Sequence, residues 1–341
     1  MEMLFVPRLN ELRMIARVAQ MYHVEGQRQA EIAKHMRISQ ASVSRMLKKA
    51  KQEEIIRTTV VAPPGTYGLM EEKLREKFDL PEAIIVECAE DRDGAIMSRI
   101  SEAAAHFVET TLQTGEIIGV SSWSETVLKM VDNIHPMKSA TAKYVVQTLG
   151  GMGAPGVQTH ATHLTTRLAR ITGAEPLLLS APGVAQSREA KQVMLSDQYV
   201  RETMDVFSRI TMAIVGIGAV EPSRMLTRSG NVFSDRELAE LGEAGAVGDI
   251  RLRFFDADGK SVATPLNERV IGMPMEGLAK VDRVIGLAGG LSKTQAVLGA
   301  LRTGVLDVLI TDKFTAARLL QLVGEDVSTP SGVDNDFRSV N

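Results

Sequence analysis

The chain has 341 residues, with 39 Lys+Arg against 42 Asp+Glu and 44% apolar side chains. That length exceeds what one small domain needs and suits two, each able to bury a core. It contains no apolar run long enough for a membrane helix, no charged-then-apolar leader, and one cysteine, Cys88, so no disulfide framework; a cytoplasmic protein without a membrane partner is expected.

The net charge of −3 hides an asymmetry. Residues 1–66 carry 11 Lys+Arg against 6 Asp+Glu, a net of +5, and the remainder carries −8. A basic head on an acidic body suits a protein that presents one end to a polyanion. In chain order, residues 1–10 show no periodicity, and from Glu11 the residues Leu12, Ile15, Ala16 and Ala19 recur at helical spacing. Ile32, Ala33 and Met36 mark a second helix. Arg37, Ile38 and Ser39 break it, and Ser39 is placed to cap a third.

The third helix has two faces. Val43, Met46, Leu47 and Ala50 point one way, and Gln40, Ala41, Ser44, Arg45 and Lys48 the other, with Ser42 and Lys49 beside them. Amide, hydroxyl and cationic side chains on an exposed stripe reach base edges and phosphates, and Ala41 permits close approach. Double-stranded operator DNA is the expected partner. The plainer alternative is a solvated helical hairpin with a basic face. The pattern Q-x-x-I-A-x-x-M-x-I-S-x-x-x-V-S-R-x-L-K from Gln29 to Lys48 resembles the helix-turn-helix of the SorC family of sugar-responsive transcriptional regulators.

Beyond this head, Ile55, Ile56 and Thr58–Val61 read as a β-rich extension, and Pro63–Gly65 as a linker. The expected division is a DNA-binding domain over 1–62, an effector domain over 63–324 and a polar tail over 325–341. Helical patterns at 67–78, 95–113 and 159–172, and near residues 191, 201, 238, 296 and 317, alternate with strand-like runs. The runs fall at 83–88, 116–120, 144–148, 176–179, 212–215, 250–254, 281–286 and 306–310. Such alternation predicts an α/β fold: an open, mostly parallel sheet with helices on both faces.

Five stretches read as glycine-rich or small-polar loops: 119–126, 148–153, 215–219, 245–249 and 286–290. In an open α/β sheet, loops at the carboxyl ends of strands form the ligand crevice. The glycines at 216 and 218 do not complete a dinucleotide-binding fingerprint, and no phosphate-binding P-loop occurs, so no cofactor is expected. His160 and His163 share a helical face without an obvious acidic or cysteine partner nearby, which reads as surface or pocket-rim histidines rather than as a metal site. Arg251, Arg253 and Arg269 read as exposed strand-end arginines, although each could approach an anion.

The resemblance to the SorC family extends over residues 12–320. It rests on the runs at 228–259 and 286–312 and on the Gly216-Ile217-Gly218 step. It implies an effector domain like sugar-phosphate isomerases and deaminases in fold. In the family, a phosphorylated sugar or polyol switches a tetramer's hold on operator DNA, so self-association as a dimer or tetramer is implied. Carried over by position, Ser121, Ser122, Trp123, Ser124 and Thr126 form the anion-binding loop. Gly150 and Gly151 match a second glycine pair, and Gly216, Gly218, Gly289 and Gly290 line the crevice. Asp249 faces sugar hydroxyls and Lys293 the anionic end. One departure stands out: the family's Ser-Trp-Gly-x-Thr here reads Ser122-Trp123-Ser124-Glu125-Thr126. Glu125 either turns to solvent at a helix start or excludes phosphate in favour of an uncharged sugar or polyol. An active isomerase or deaminase with a fused DNA-binding head is the alternative function.

Overall fold

A computed structural model describes residues 5–56, 63, 65–137, 141–154, 158–231 and 233–325. The chain divides into two compact units, 1–62 and 63–341.

The first unit is built on α1 (Phe5–His23), α2 (Gln29–Met36) and α3 (Gln40–Gln52). Its first helix begins well before Glu11, since adding turns to a nucleated helix is cheap. The buried face is Ile15, Val18, Ala19 and Met21; Ala16, expected inside, is exposed. Ile32, Val43 and Leu47 close this small core. Ile56 packs beside Ile15, Ala19 and Ala50, and the expected β-rich stretch at 58–61 lies outside the described residues, as does 326–341 of the tail.

The second unit carries ten strands among the described residues. They are β1 (Glu82–Val86), β2 (Ile117–Val120), β3 (Tyr144–Gln147), β4 (Glu175–Leu177) and β5 (Met212–Gly216). The remainder are β6 (Gly218–Ala219), β7 (Ala246–Ile250), β8 (Arg253–Asp256), β9 (Arg283–Leu287) and β10 (Val308–Asp312). Seven form a parallel sheet in the order β1-β10-β9-β5-β2-β3-β4.

Alternation along β5 shows why both faces are covered. Met212 and Ile214 enter one core with Ile96, Ile100, Met130 and Leu164, from helices Asp93–Thr111, Glu125–Asn133 and Gln158–Thr172. Ala213 and Val215 enter the other, with Leu74, Val297, Leu301 and Leu319 from helices Gly68–Phe78, Thr294–Arg302 and Lys313–Leu322. Near-continuous apolar runs are what strands buried on both faces require.

The other three strands form a separate antiparallel sheet, β6-β7-β8. This corrects the reading of 245–249 as a loop and of 250–254 as one strand. Residues 246–250 and 253–256 are the arms of a hairpin, closed by the two-residue turn Arg251-Leu252. Gly248 reads as a turn residue in sequence, yet here it lets the strand lie directly on Ala296 of the helix behind it.

Candidate functional site

Strand order locates a crevice before any side chain is considered. From β2 the sheet grows one way to β3 and β4, and from β5 it grows the other way to β9 and β10. The connections leaving β2 and β5 therefore diverge, opening the sheet's edge at the switch point. A cavity of about 620 Å³ opens there. Its wall draws on the segments following β2, β5 and β9, on the start of helix Asp93–Thr111, and on the hairpin β7–β8.

Most of the expected effector residues meet at this cavity. Ser121, Trp123, Ser124 and Thr126 line it after β2, Gly216 from β5, Gly218 from β6, Asp249 from β7, and Gly289 and Lys293 after β9. The Ser124 hydroxyl accepts from the Val127 amide at 3.3 Å and so caps helix Glu125–Asn133. A Cβ at Gly216 would overlap that hydroxyl, and one at Gly218 would overlap the Asp249 carboxylate. These two glycines keep the wall open.

Four expected residues stand behind the wall rather than on it. The Ser122 hydroxyl donates to the Leu149 carbonyl at 2.6 Å, pinning the β2 loop to the β3 loop. Gly150 lies against Pro182, and Gly151 against the Gln147 side chain. The Gly290 amide donates to Asp312 and to Thr315 Oγ1. Trp123 both lines the cavity and reaches back, its indole N–H donating to the Gly150 carbonyl at 2.9 Å.

The electrostatics are uneven. Burial pushes the Asp249 carboxyl up to about 6, opposed by the Leu252 amide and by Lys293. Burial also pulls the Lys293 ammonium down, against the upward pull of Asp249, Asp93 and Glu125. The expectation that Arg251 is exposed is overturned: it is 4% exposed and lines the cavity. Its location depends on the hairpin, which the sequence signals poorly: burial alternates along β7 but not along β8, where Phe254 and Phe255 are both buried. Arg253 instead bonds the carbonyls of Asn267 and Val270, and Arg269 bonds Ala185 and pairs with Glu237. Asp93, also on the wall, carries no sequence signal of its own.

In the first unit, the Ser39 hydroxyl accepts from the Ser42 amide at 3.1 Å, fixing the start of α3. Arg37 terminates α2 in the left-handed region at φ 55°, which makes the turn tight. Gln40, Ala41, Ser44, Arg45 and Lys48 are exposed, and Ser42 is half-buried, accepting from Arg45 Nη2 at 3.2 Å. Lys49 is paired with Glu11 of α1. Among the described residues no His/Cys/Asp/Glu group could hold a metal ion, and no helix is long and apolar enough to cross a membrane.

Comparison with known proteins places this geometry. Residues 66–321 match the family described as "Putative sugar-binding domain". The deoxyribonucleoside regulator of Bacillus subtilis (strain 168) is 30% identical over 302 residues, covering 89% of this chain and 95% of that one. The full-length sorbitol operon regulator SorC from Klebsiella pneumoniae superposes with a TM-score of 0.67 at 26% identity, over 91% of this chain and 99% of its own. The sugar-binding domain of the transcriptional regulator DeoR from Pseudomonas syringae pv. tomato is 40% identical, with a TM-score of 0.59, over 74% and 97%. An α/β sheet with its crevice at the switch point, an N-terminal three-helix unit and a match over 66–321 agree: the chain belongs to the SorC-type, sugar-binding-domain family of transcriptional regulators.

Proposed function

We propose that the chain binds operator DNA through α3 and is switched by a sugar or polyol, carrying an anionic group, held in the switch-point cavity. The observation that carries this reading is the convergence on one cavity of an acceptor carboxylate, Asp249, a cation, Lys293, and the hydroxyl-bearing segment Ser121–Thr126. A carboxylate accepts from sugar hydroxyls, and an ammonium favours an anionic substituent. A ligand that differs in affinity between two states of the protein shifts their populations and so the hold on DNA. The decisive experiment is a thermal-shift screen of purified protein against sugars, polyols and their phosphates, followed by operator binding with each hit. Binding to the native state raises stability by mass action. If no compound both stabilises the protein and alters operator affinity, the reading fails.

A second reading is favoured by one feature. A half-buried carboxyl held near 6 with a lysine on the same wall is also what a proton-transfer enzyme uses. Turnover of ribose 5-phosphate and related sugar phosphates discriminates: a rate above background that disappears in Asp249→Asn establishes an isomerase or deaminase, and none leaves the regulator.

A further inference from the structure

Three side chains at the start of α3 form one hydrogen-bonded chain. Ser42 Oγ lies 2.9 Å from Ser39 Oγ, and Arg45 Nη2 donates to Ser42 Oγ at 3.2 Å. Ser39 Oγ also accepts from the Ser42 amide at 3.1 Å, as the cap of the helix. Residues 42 and 45 are three apart, which makes them neighbours on the helix surface.

The chain has a direction. A guanidinium can only donate, so Ser42 Oγ is the acceptor toward Arg45. A hydroxyl that accepts from a cation becomes a better donor, and Ser39 Oγ, already an acceptor at the cap, takes its proton. Ser42 then has no hydrogen left to offer DNA. It is half-buried, whereas Gln40, Ala41, Ser44, Arg45 and Lys48 are exposed. Its hydroxyl serves its own helix.

The consequence falls on Arg45. An untethered arginine on a helix surface samples many rotamers, and fixing one at a contact costs entropy. Here Nη2 is tied back toward the N-terminus, the direction in which helical side chains lean. The guanidinium is thereby held beside the first turn of α3, and the N-terminal part of a recognition helix is what meets base edges. One bond to Ser42 leaves most of the fork free for a two-pronged contact to guanine O6 and N7. The neighbouring cations do not compete for this role. Lys49 is paired with Glu11, and Lys48 is a point charge without a fork.

We infer that Ser42 is a positioning residue for base readout: it contacts neither base nor phosphate, and pre-orients the Arg45 guanidinium toward a guanine in the major groove. This rests on α3 being the reading helix. Sequence discrimination then belongs to the chain Ser39–Ser42–Arg45, and it can be relaxed without removing any charge from the helix.

The test uses full-length protein and the duplex that the parent recovers from a pool of randomised sequence, with an unrelated duplex as control. Ser42→Ala should weaken binding of the recovered duplex about threefold to tenfold, the range expected for freeing one rotamer-rich side chain. Binding of the unrelated duplex and the salt dependence should stay as in the parent, because no phosphate contact is lost. The lost discrimination should fall on the same base pair that Arg45→Ala relaxes. In the Arg45→Ala background, Ser42→Ala should add less than about twofold, as expected when one residue acts through the other. Ser42→Thr keeps the hydroxyl and should restore affinity and discrimination. Ser42→Val has the same shape without the hydroxyl and should not; this pair carries the test if the alanine variant does not fold. Equal weakening of both duplexes with a flatter salt dependence makes Ser42 a phosphate contact and overturns the inference. An undiminished loss in the Arg45→Ala background overturns it too, assigning Ser42 to the helix start, as does parental discrimination by Ser42→Ala or by Arg45→Ala. Parental binding by Arg45→Ala and Lys48→Ala alike instead overturns α3 as the reading helix.

Discussion

The carboxylate of Asp249 accepts a hydrogen bond from the Leu252 amide at 2.7 Å, so the acid that faces the cavity also closes the turn beside it. Its two roles use the same charge, and both respond to protonation.

Asp249→Asn should weaken binding of any hydroxylated effector at least tenfold while leaving operator affinity unchanged. Asp249→Ala should also lower stability, by about 1–3 kcal/mol, because the Leu252 amide loses its acceptor. Calorimetry of the effector and denaturant unfolding of each variant separate the two effects.

The folded-state pKa of Asp249, about 6, lies above its ordinary value of 3.8. Between these values the folded protein binds the extra proton, so this group's contribution makes stability fall as pH rises from about 4 to 6. Effector affinity should run the opposite way, increasing as the carboxylate forms through pH 6 and acquires full acceptor capacity. A dissociation constant measured from pH 5 to 8 should show this inflection in the parent and lack it in Asp249→Asn. An inflection retained in the variant assigns the titration to another group.

On α3, Arg45 is exposed mid-helix and Lys48 lies nearly a turn further on. Arg45→Ala should cost about 1–3 kcal/mol of operator binding and relax specificity. Lys48→Ala should weaken all sequences alike and flatten the salt dependence. Lys49, already paired with Glu11, should matter less to DNA than Lys48. Operator titrations at several salt concentrations test all three, and unaltered binding in both Arg45→Ala and Lys48→Ala removes α3 as the reading helix.

Lys293→Ala should leave operator affinity within about twofold and abolish or blunt the effector's influence on it, since a ligand acts only through differential affinity for two states. Mobility shifts with and without the effector measure both quantities on one sample. Loss of DNA binding in a folded variant makes Lys293 structural instead.

Trp123 is the only tryptophan, it lines the cavity, and its indole is anchored to Gly150 at 2.9 Å. A bound effector should change its emission saturably and reduce quenching by iodide, with the half-point matching the calorimetric dissociation constant. An effector that binds without altering either places the site away from this wall.

How far the residues alone carry the argument differs between the two units. In the head, Ser39 as cap, the break at Arg37–Ser39 and the face of Val43, Leu47 and Ala50 are local features of three- and four-residue spacing, so they were readable without tertiary information. The parallel sheet was readable for a similar reason: apolar runs such as Met212–Gly216 alternate with amphipathic helices at regular intervals. What the chain could not declare is which distant segments share a wall. Gly150 and Ser121 look alike as small residues in loops, yet one is pressed on Pro182 and the other borders the cavity. Arg251 looks like a solvated strand-end charge until the hairpin with β8 buries it. Local periodicity determined the elements; strand order, set by long-range pairing of β2 with β5 and β5 with β9, decided which side chains face one another.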